Sequence, residues 1–190
     1  MKKLYLIIAC LFITLCSYSQ NAHLDFKGIP LDGRLSDFIS KLEAEGFTFD
    51  KYVDEDAAIM KGDFAGRNAD IYILVTPSSK TVYAVSVFYN EDESWSSLKS
   101  DYFQMKELYT KKYGEPESFE FFSKPYYEGD GYELQALRKG KCNYESLWEL
   151  PLGRICIKID QFCEISMIYG DKINTELRQK EDENIALNDI

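Results

Sequence analysis

Apolar positions along this chain change period repeatedly, and the changes divide it into helices and strands. After Asp32-Gly33, the residues Leu35, Phe38, Ile39 and Leu42 fall at i, i+3, i+4 and i+7, one face of a helix, and Gly46 supplies a stop. Strands are expected over 47–52 and 57–64, then a hairpin over 70–89. A second helix carries Trp95, Leu98, Tyr102, Met105 and Tyr109 on one stripe and ends at Gly114 and Pro116. Further strands are expected at 118–122, 132–137 and 144–150, and a final hairpin over 154–169. The last helix starts at Asp171, a suitable N-cap, runs through Ile173 and Leu177, and frays from Glu181 into the tail.

The two hairpins obey the same grammar. Pairing Val75 with Tyr83 gathers Ile71, Ile73, Val85 and Val87 on one face and sets Tyr72 against Ser86 and Leu74 against Ala84. Pairing Ile159 with Cys163 gathers Ile155, Ile157, Ile165 and Met167, with Lys158 against Glu164 and Cys156 against Ser166 behind them. The fold class that follows is α+β: antiparallel sheet built from two helix-plus-meander halves, about 22–90 and 91–170, helices on one face, and a C-terminal helix and tail over 171–190. The halves are either a duplication or two meanders that reached one pattern independently.

The helix exits Glu45-Gly46-Phe47 and Tyr113-Gly114-Glu115-Pro116 each lead into strands, and the second carries a Gly-x-Pro step that the first lacks. In these exits and in the layout the chain resembles the duplicated fold of the β-lactamase inhibitor protein family and its relatives among outer-membrane assembly lipoproteins. That resemblance implies a binding module that presents a sheet face to another protein, and it carries no functional residue across. With Phe26-Lys27-Gly28-Ile29-Pro30-Leu31-Asp32-Gly33 opening the domain, the chain is also similar to small secreted proteins of unknown function in Gram-negative bacteria, a likeness that brings no activity.

The N-terminus sets the expected address. Lys2 and Lys3 precede the apolar run Leu4 to Cys16, and Ser17-Tyr18-Ser19 offers small residues for a signal peptidase. Residues 1–19 read as a signal peptide, too short to span a membrane, and 20–190 as one exported domain, periplasmic or secreted. Lipid anchoring at Cys16 is the rival, but Leu15 stands where a lipobox wants a small residue. The net charge of −10 disfavours nucleic acid and anionic membrane surfaces as partners. Cys142, Cys156 and Cys163 follow the signal; an odd number allows one bridge or none, and the strand reading puts Cys156 and Cys163 on opposite faces.

No catalytic or cofactor motif stands out. His23 is the sole histidine, which leaves a Ser-His, Cys-His or zinc site little to build on. The acidic runs lack the ligand alternation of a calcium loop, and Gly129-Asp130-Gly131 reads as a hairpin turn, not a phosphate cradle. Glu133 and Glu149, on expected strands, form the carboxylate pair to inspect for hydrolysis, with solvent-facing positions as the plainer reading. No cofactor or metal is expected.

Aromatic residues offer more. In 119–133, Phe119 and Phe121 share a parity expected to face the core, while Tyr126, Tyr127 and Tyr132 either cap the core or form a contact surface. Tyr72, Leu74 and Phe88 lie on the face opposite the Ile71/Ile73 row, which the C-terminal helix or the other half is expected to cover; left open, it is a binding surface. The candidate binding residues are therefore Tyr126, Tyr127, Tyr132, Tyr72 and Phe88. The expected function is a non-enzymatic protein-interaction module of the cell envelope, an inhibitor or assembly accessory, with another envelope or secreted protein as partner. The alternative is a glycan or small-molecule binder using exposed tyrosines.

Overall fold

A computed structural model describes residues 23–90 and 92–188. The expected signal peptide over 1–19 and Cys16, the rival site of lipid anchoring, lie outside the described residues. A short hairpin, β1 (Asp25–Phe26) and β2 (Ile29–Pro30), is followed by helix α1 (Leu35–Ala44) and four strands: β3 (Thr48–Asp54), β4 (Ala57–Phe64), β5 (Arg67–Val75) and β6 (Val82–Tyr89). The grammar then repeats with α2 (Trp95–Tyr113), β7 (Glu117–Phe122), a short helix α3 (Glu133–Arg138), β8 (Cys142–Leu150), β9 (Gly153–Ile159) and β10 (Ile165–Asp171), and α4 (Lys172–Asn188) is the last described element. The fold is α+β, with one eight-stranded antiparallel sheet in the order β3-β4-β5-β6-β10-β9-β8-β7. Each meander contributes its last strand to the central seam, where Phe88 faces Ser166 and Val87 faces Met167.

One face of the sheet is covered and holds the core. Phe38, Ile39 and Leu42 of α1 and Leu98, Tyr102, Met105 and Tyr109 of α2 join Ile71, Ile73, Val85, Val87, Ile155, Ile157, Ile165 and Met167 in one buried cluster. Burying each such side chain contributes about 1.5–3 kcal/mol. Ser94 caps α2 by accepting the Ser97 N–H at 3.3 Å, and Gly114, at φ +88, ends it. Between the helices, Phe26 stacks on Phe64 at 5.4 Å and meets Tyr169 edge-on at 5.1 Å, so the small hairpin fills the core rather than decorating it.

The first large hairpin has the expected pairs, Ile71–Val87, Tyr72–Ser86, Ile73–Val85 and Leu74–Ala84, but at its mouth a register shift pairs Val75 with Val82 instead of Tyr83. The Thr76 N–H donates to the Thr81 carbonyl there, and Val82 N–H to that of Gly33, which draws the strand forward. The second hairpin is shifted by two residues from the expected register: Ile165 pairs with Ile159 and Met167 with Ile157. Its turn spans 160–164, because Asp160 N–H donates to the Glu164 carbonyl and Cys163 adopts φ +64. A shift of two preserves the faces.

Other expectations fail outright, among them that Gly129-Asp130-Gly131 turns a hairpin, since it leads into a helix. Residues 132–137 are not a strand: α3 occupies 133–138, buries Ala136 and Leu137, and ends where the Lys141 and Gly140 N–H groups donate to the carbonyls of Ala136 and Leu137, with Gly140 at φ +63. Phe119 and Phe121 do not enter the core; both are exposed, at 40 % and 50 %. The opposite parity of β7 faces α2, because the buried Tyr102 hydroxyl recruits Ser146 at 2.6 Å and Glu120 at 3.1 Å, and Phe122 packs edge-on against Trp95. Finally, α4 does not fray at Glu181. That side chain is buried and accepts the Ser78 N–H at 2.7 Å and the Ser79 N–H at 3.2 Å, which fastens the helix to the β5–β6 turn.

Candidate functional site

Neither α1 nor α2 covers the second face of the sheet. Alternation places Ile59, Tyr72, Ser86, Ile168, Cys156 and Leu147 in one row across six strands, and Asp70, Phe88, Ser166 and Lys158 in the next. Tyr72, Leu74, Phe88, Leu147 and Ile168 are only half-buried, so this face keeps apolar surface towards solvent. α4 packs along the far end, where Thr175 lies beside Gly170, and it leaves Tyr72 and Phe88 uncovered.

At the other end a cavity of about 460 Å³ opens on this face, lined by Asp70, Tyr72, Leu74, Ser86, Phe88 and Asn90 from the first half and by Phe162 and Glu164 from the second. Tyr72 and Phe88 meet edge to face, with centroids 5.2 Å apart. Phe162 stands 64 % exposed at the rim, held by the 160–164 turn in which Asp160 Oδ1 accepts the Phe162 N–H at 2.8 Å. The Asp92 N–H donates to the Cys163 carbonyl at 3.0 Å and ties this turn to the linker after β6. Asp70 sits opposite both Lys61 and Phe88 in the ladder. Lys61 turns away, its Nζ lying 3.4 Å from Asp50 Oδ2, and among the described residues Asp70 has no ion-pair partner. Beyond the rim, Arg138 and Gln161 line a neighbouring cavity with Phe162 and Glu164.

The structure brings together two of the five sequence candidates, Tyr72 and Phe88. The other three do not line the cavity. Tyr126 packs half-buried against the core, its hydroxyl accepting from Lys139 Nζ at 3.3 Å, whereas Tyr127 and Tyr132 are 64 % and 61 % exposed on the loop. Sequence reasoning missed Asp70, Phe162 and Glu164. Phe162 carried a signal, an aromatic residue within a turn, but the loose 160–164 turn that lifts it to the rim was hidden by the tighter expected register.

The groups considered for chemistry have structural partners. Glu133 accepts the Gly129 N–H at 2.7 Å in the first turn of α3, and Glu149 pairs with Arg154 at 2.5 Å. His23 Nδ1 lies 3.1 Å from the buried Asp171 and its Nε2 lies 3.7 Å from Asp32. Asp171 also accepts the Leu24 and Asn174 N–H groups, each at 2.8 Å, so this cluster joins the N-terminal hairpin to α4. Cys142 and Cys156 are buried free thiols, and Cys163 is buried in the 160–164 turn. Burial pushes the thiols of Cys142 and Cys156 up to about 12, with nearby Glu128 and Glu133 adding to the first and the Glu145 carboxylate, 3.2 Å from Cys156 Sγ, to the second. Such thiols are poor nucleophiles. Among the described residues, no group of three His, Cys, Asp or Glu side chains is placed to hold a metal ion, and no helix is long and apolar enough to cross a membrane.

Compared with protein-family models, with curated proteins and with solved structures, the chain matches none.

Proposed function

We propose that this protein is an exported, non-enzymatic interaction module of the cell envelope, acting as an inhibitor or assembly accessory by docking a partner protein onto the uncovered face of its sheet. The observation that carries the reading is the apolar surface left on that face around Tyr72 and Phe88. Apolar and aromatic residues held on a rigid sheet lose little freedom on contact, which favours their use as binding anchors. The resemblance to the β-lactamase inhibitor protein family supports the same use of a sheet face, and the N-terminal signal pattern supports export.

The test is capture from native envelope and secreted fractions by the immobilised protein, with a Tyr72→Ser/Phe88→Ser variant beside it. A partner retained by the parent and lost from the variant is the expected result. A second variant, Tyr127→Ser/Tyr132→Ser, addresses the other candidates; loss from it alone moves the docking site to the loop. The exposure of Tyr127 and Tyr132 favours one second reading, a glycan binder whose rings act as stacking platforms. Saturable binding of oligosaccharides, abolished in that loop variant, would establish it in place of the first.

A further inference from the structure

The docking reading leaves the chemistry of the partner open, and the cavity at the seam narrows it. We propose that this cavity receives the basic side chain, arginine or lysine, of a protein partner. The proposal rests on the docking reading and adds the charge of what docks.

The floor of the cavity is set by the ladder. Asp70 lies directly opposite Phe88, and Tyr72 follows two residues later on the same face, so the carboxylate and the two rings share one patch. Phe162 closes the rim from the other half and is free to lay its ring over an incoming group. A cation gains from the face of an aromatic ring and from a nearby carboxylate at once, and a guanidinium has the planar shape to use both. The protein's own cations do not occupy the place: Lys61, the cross-strand neighbour of Asp70, is engaged by Asp50. Arg138 lines the adjoining cavity with Gln161, Phe162 and Glu164 and is not among the residues lining this one. Asp70 is half-buried and, among the described residues, has no ion-pair partner, so a cation entering the cavity meets a carboxylate that no cation of this chain neutralises. At long range the net charge of −10 steers a basic partner to this protein and repels an acidic one.

The experiment titrates the isotopically labelled protein with acetyl-arginine amide, and in parallel with acetyl-citrulline amide, which keeps the shape and removes the charge. Saturable amide shifts confined to 70–74, 86–90 and 162–164 are expected for arginine and not for citrulline. Asp70→Asn and Phe88→Leu should each weaken arginine binding at least about fivefold, with unchanged circular dichroism. Equal shifts from citrulline, absence of saturation, or full affinity in folded Asp70→Asn would overturn the proposal. Tighter binding of tetramethylammonium than of arginine would overturn the side-chain source. The two readings fail separately: a partner lost from Tyr72→Ser/Phe88→Ser yet held by Asp70→Asn keeps the docking face and removes the cation site, whereas a partner held by Tyr72→Ser/Phe88→Ser removes the docking face.

Discussion

Replacing Asn174 by alanine should cost more stability than any surface change in α4. The side chain is 3 % exposed, and its Nδ2 donates to the Leu31 carbonyl at 2.8 Å, the Val82 carbonyl at 3.1 Å and Asp32 Oδ1 at 3.2 Å. One amide thus holds three segments: the stretch after β2, the start of β6 and the first turn of α4. Truncation removes all three hydrogen bonds and deprives the Leu31 and Val82 carbonyls of this donor. Each unsatisfied buried group costs about 1–3 kcal/mol. Asp32, half exposed, recovers water, and partial relaxation relieves the rest, which puts the loss at about 2–4 kcal/mol. For a chain of this size that lowers Tm by roughly 4–16 °C. Urea unfolding followed by tryptophan fluorescence measures it, since Trp148 is buried beneath α2 with its Nε1–H on the Gly114 carbonyl. Asn174→Asp is the stricter test. It removes both donors and sets a carboxylate against two carbonyls and two aspartates, so it should destabilise more than alanine at neutral pH and recover as the new carboxyl protonates in acid. A loss below about 1 kcal/mol for Asn174→Ala, or an aspartate variant no worse than the alanine one at pH 7, would show that the amide does not hold these segments.

Two further outcomes follow from the same geometry. Desolvation raises the Glu181 carboxyl, but hydrogen bonds from Ser79 and from the Ser78 and Ser79 N–H groups outweigh it and hold it below the ordinary value; its contribution is present at neutral pH and lost as pH falls through the folded value. Glu181→Gln should therefore unfold at lower urea than the parent at pH 7, with the gap closing near pH 3, and a gap that persists in acid would refute this. Because burial lifts the thiols of Cys142 and Cys156 to about 12 from an ordinary 9.0, iodoacetamide at pH 8 should spare both until denaturant is added, and stability should fall above pH 9, where only the unfolded chain loses these protons; modification mapped to either residue in the native protein would contradict it.

Much of the fold was legible in the sequence because it is written in side-chain period. The stripe from Leu98 to Tyr109 and the Ile71/Ile73 and Ile155/Ile157 rows each bury one face, and a period survives errors in turn geometry. What period could not supply was turn chemistry and hydroxyl pairing. Nothing in the alternation of 117–122 says that Tyr102, an α2 residue, will draw Ser118's side of β7 inward and leave Phe119 and Phe121 outside. Likewise 133–138 is too short to display helical period, and its only strong signal was the basic last turn before Gly140. The candidate site was half legible for the same reason: Tyr72 and Phe88 follow from strand parity, whereas Phe162 reaches them through a turn and through the pairing of β6 with β10, which join distant parts of the chain.

That seam has a kinetic meaning. Most ladders of the sheet link strands that follow one another, so each meander can close locally and quickly, while β6 and β10 meet only when both are formed. Docking of the halves is then the natural last step of folding, and the cavity, with Asp70, Tyr72 and Phe88 on one side and Phe162 and Glu164 on the other, comes into being at that step. A ligand seated there would bind only the joined state and would slow the parting of the halves, so its occupancy would read out as a longer native lifetime.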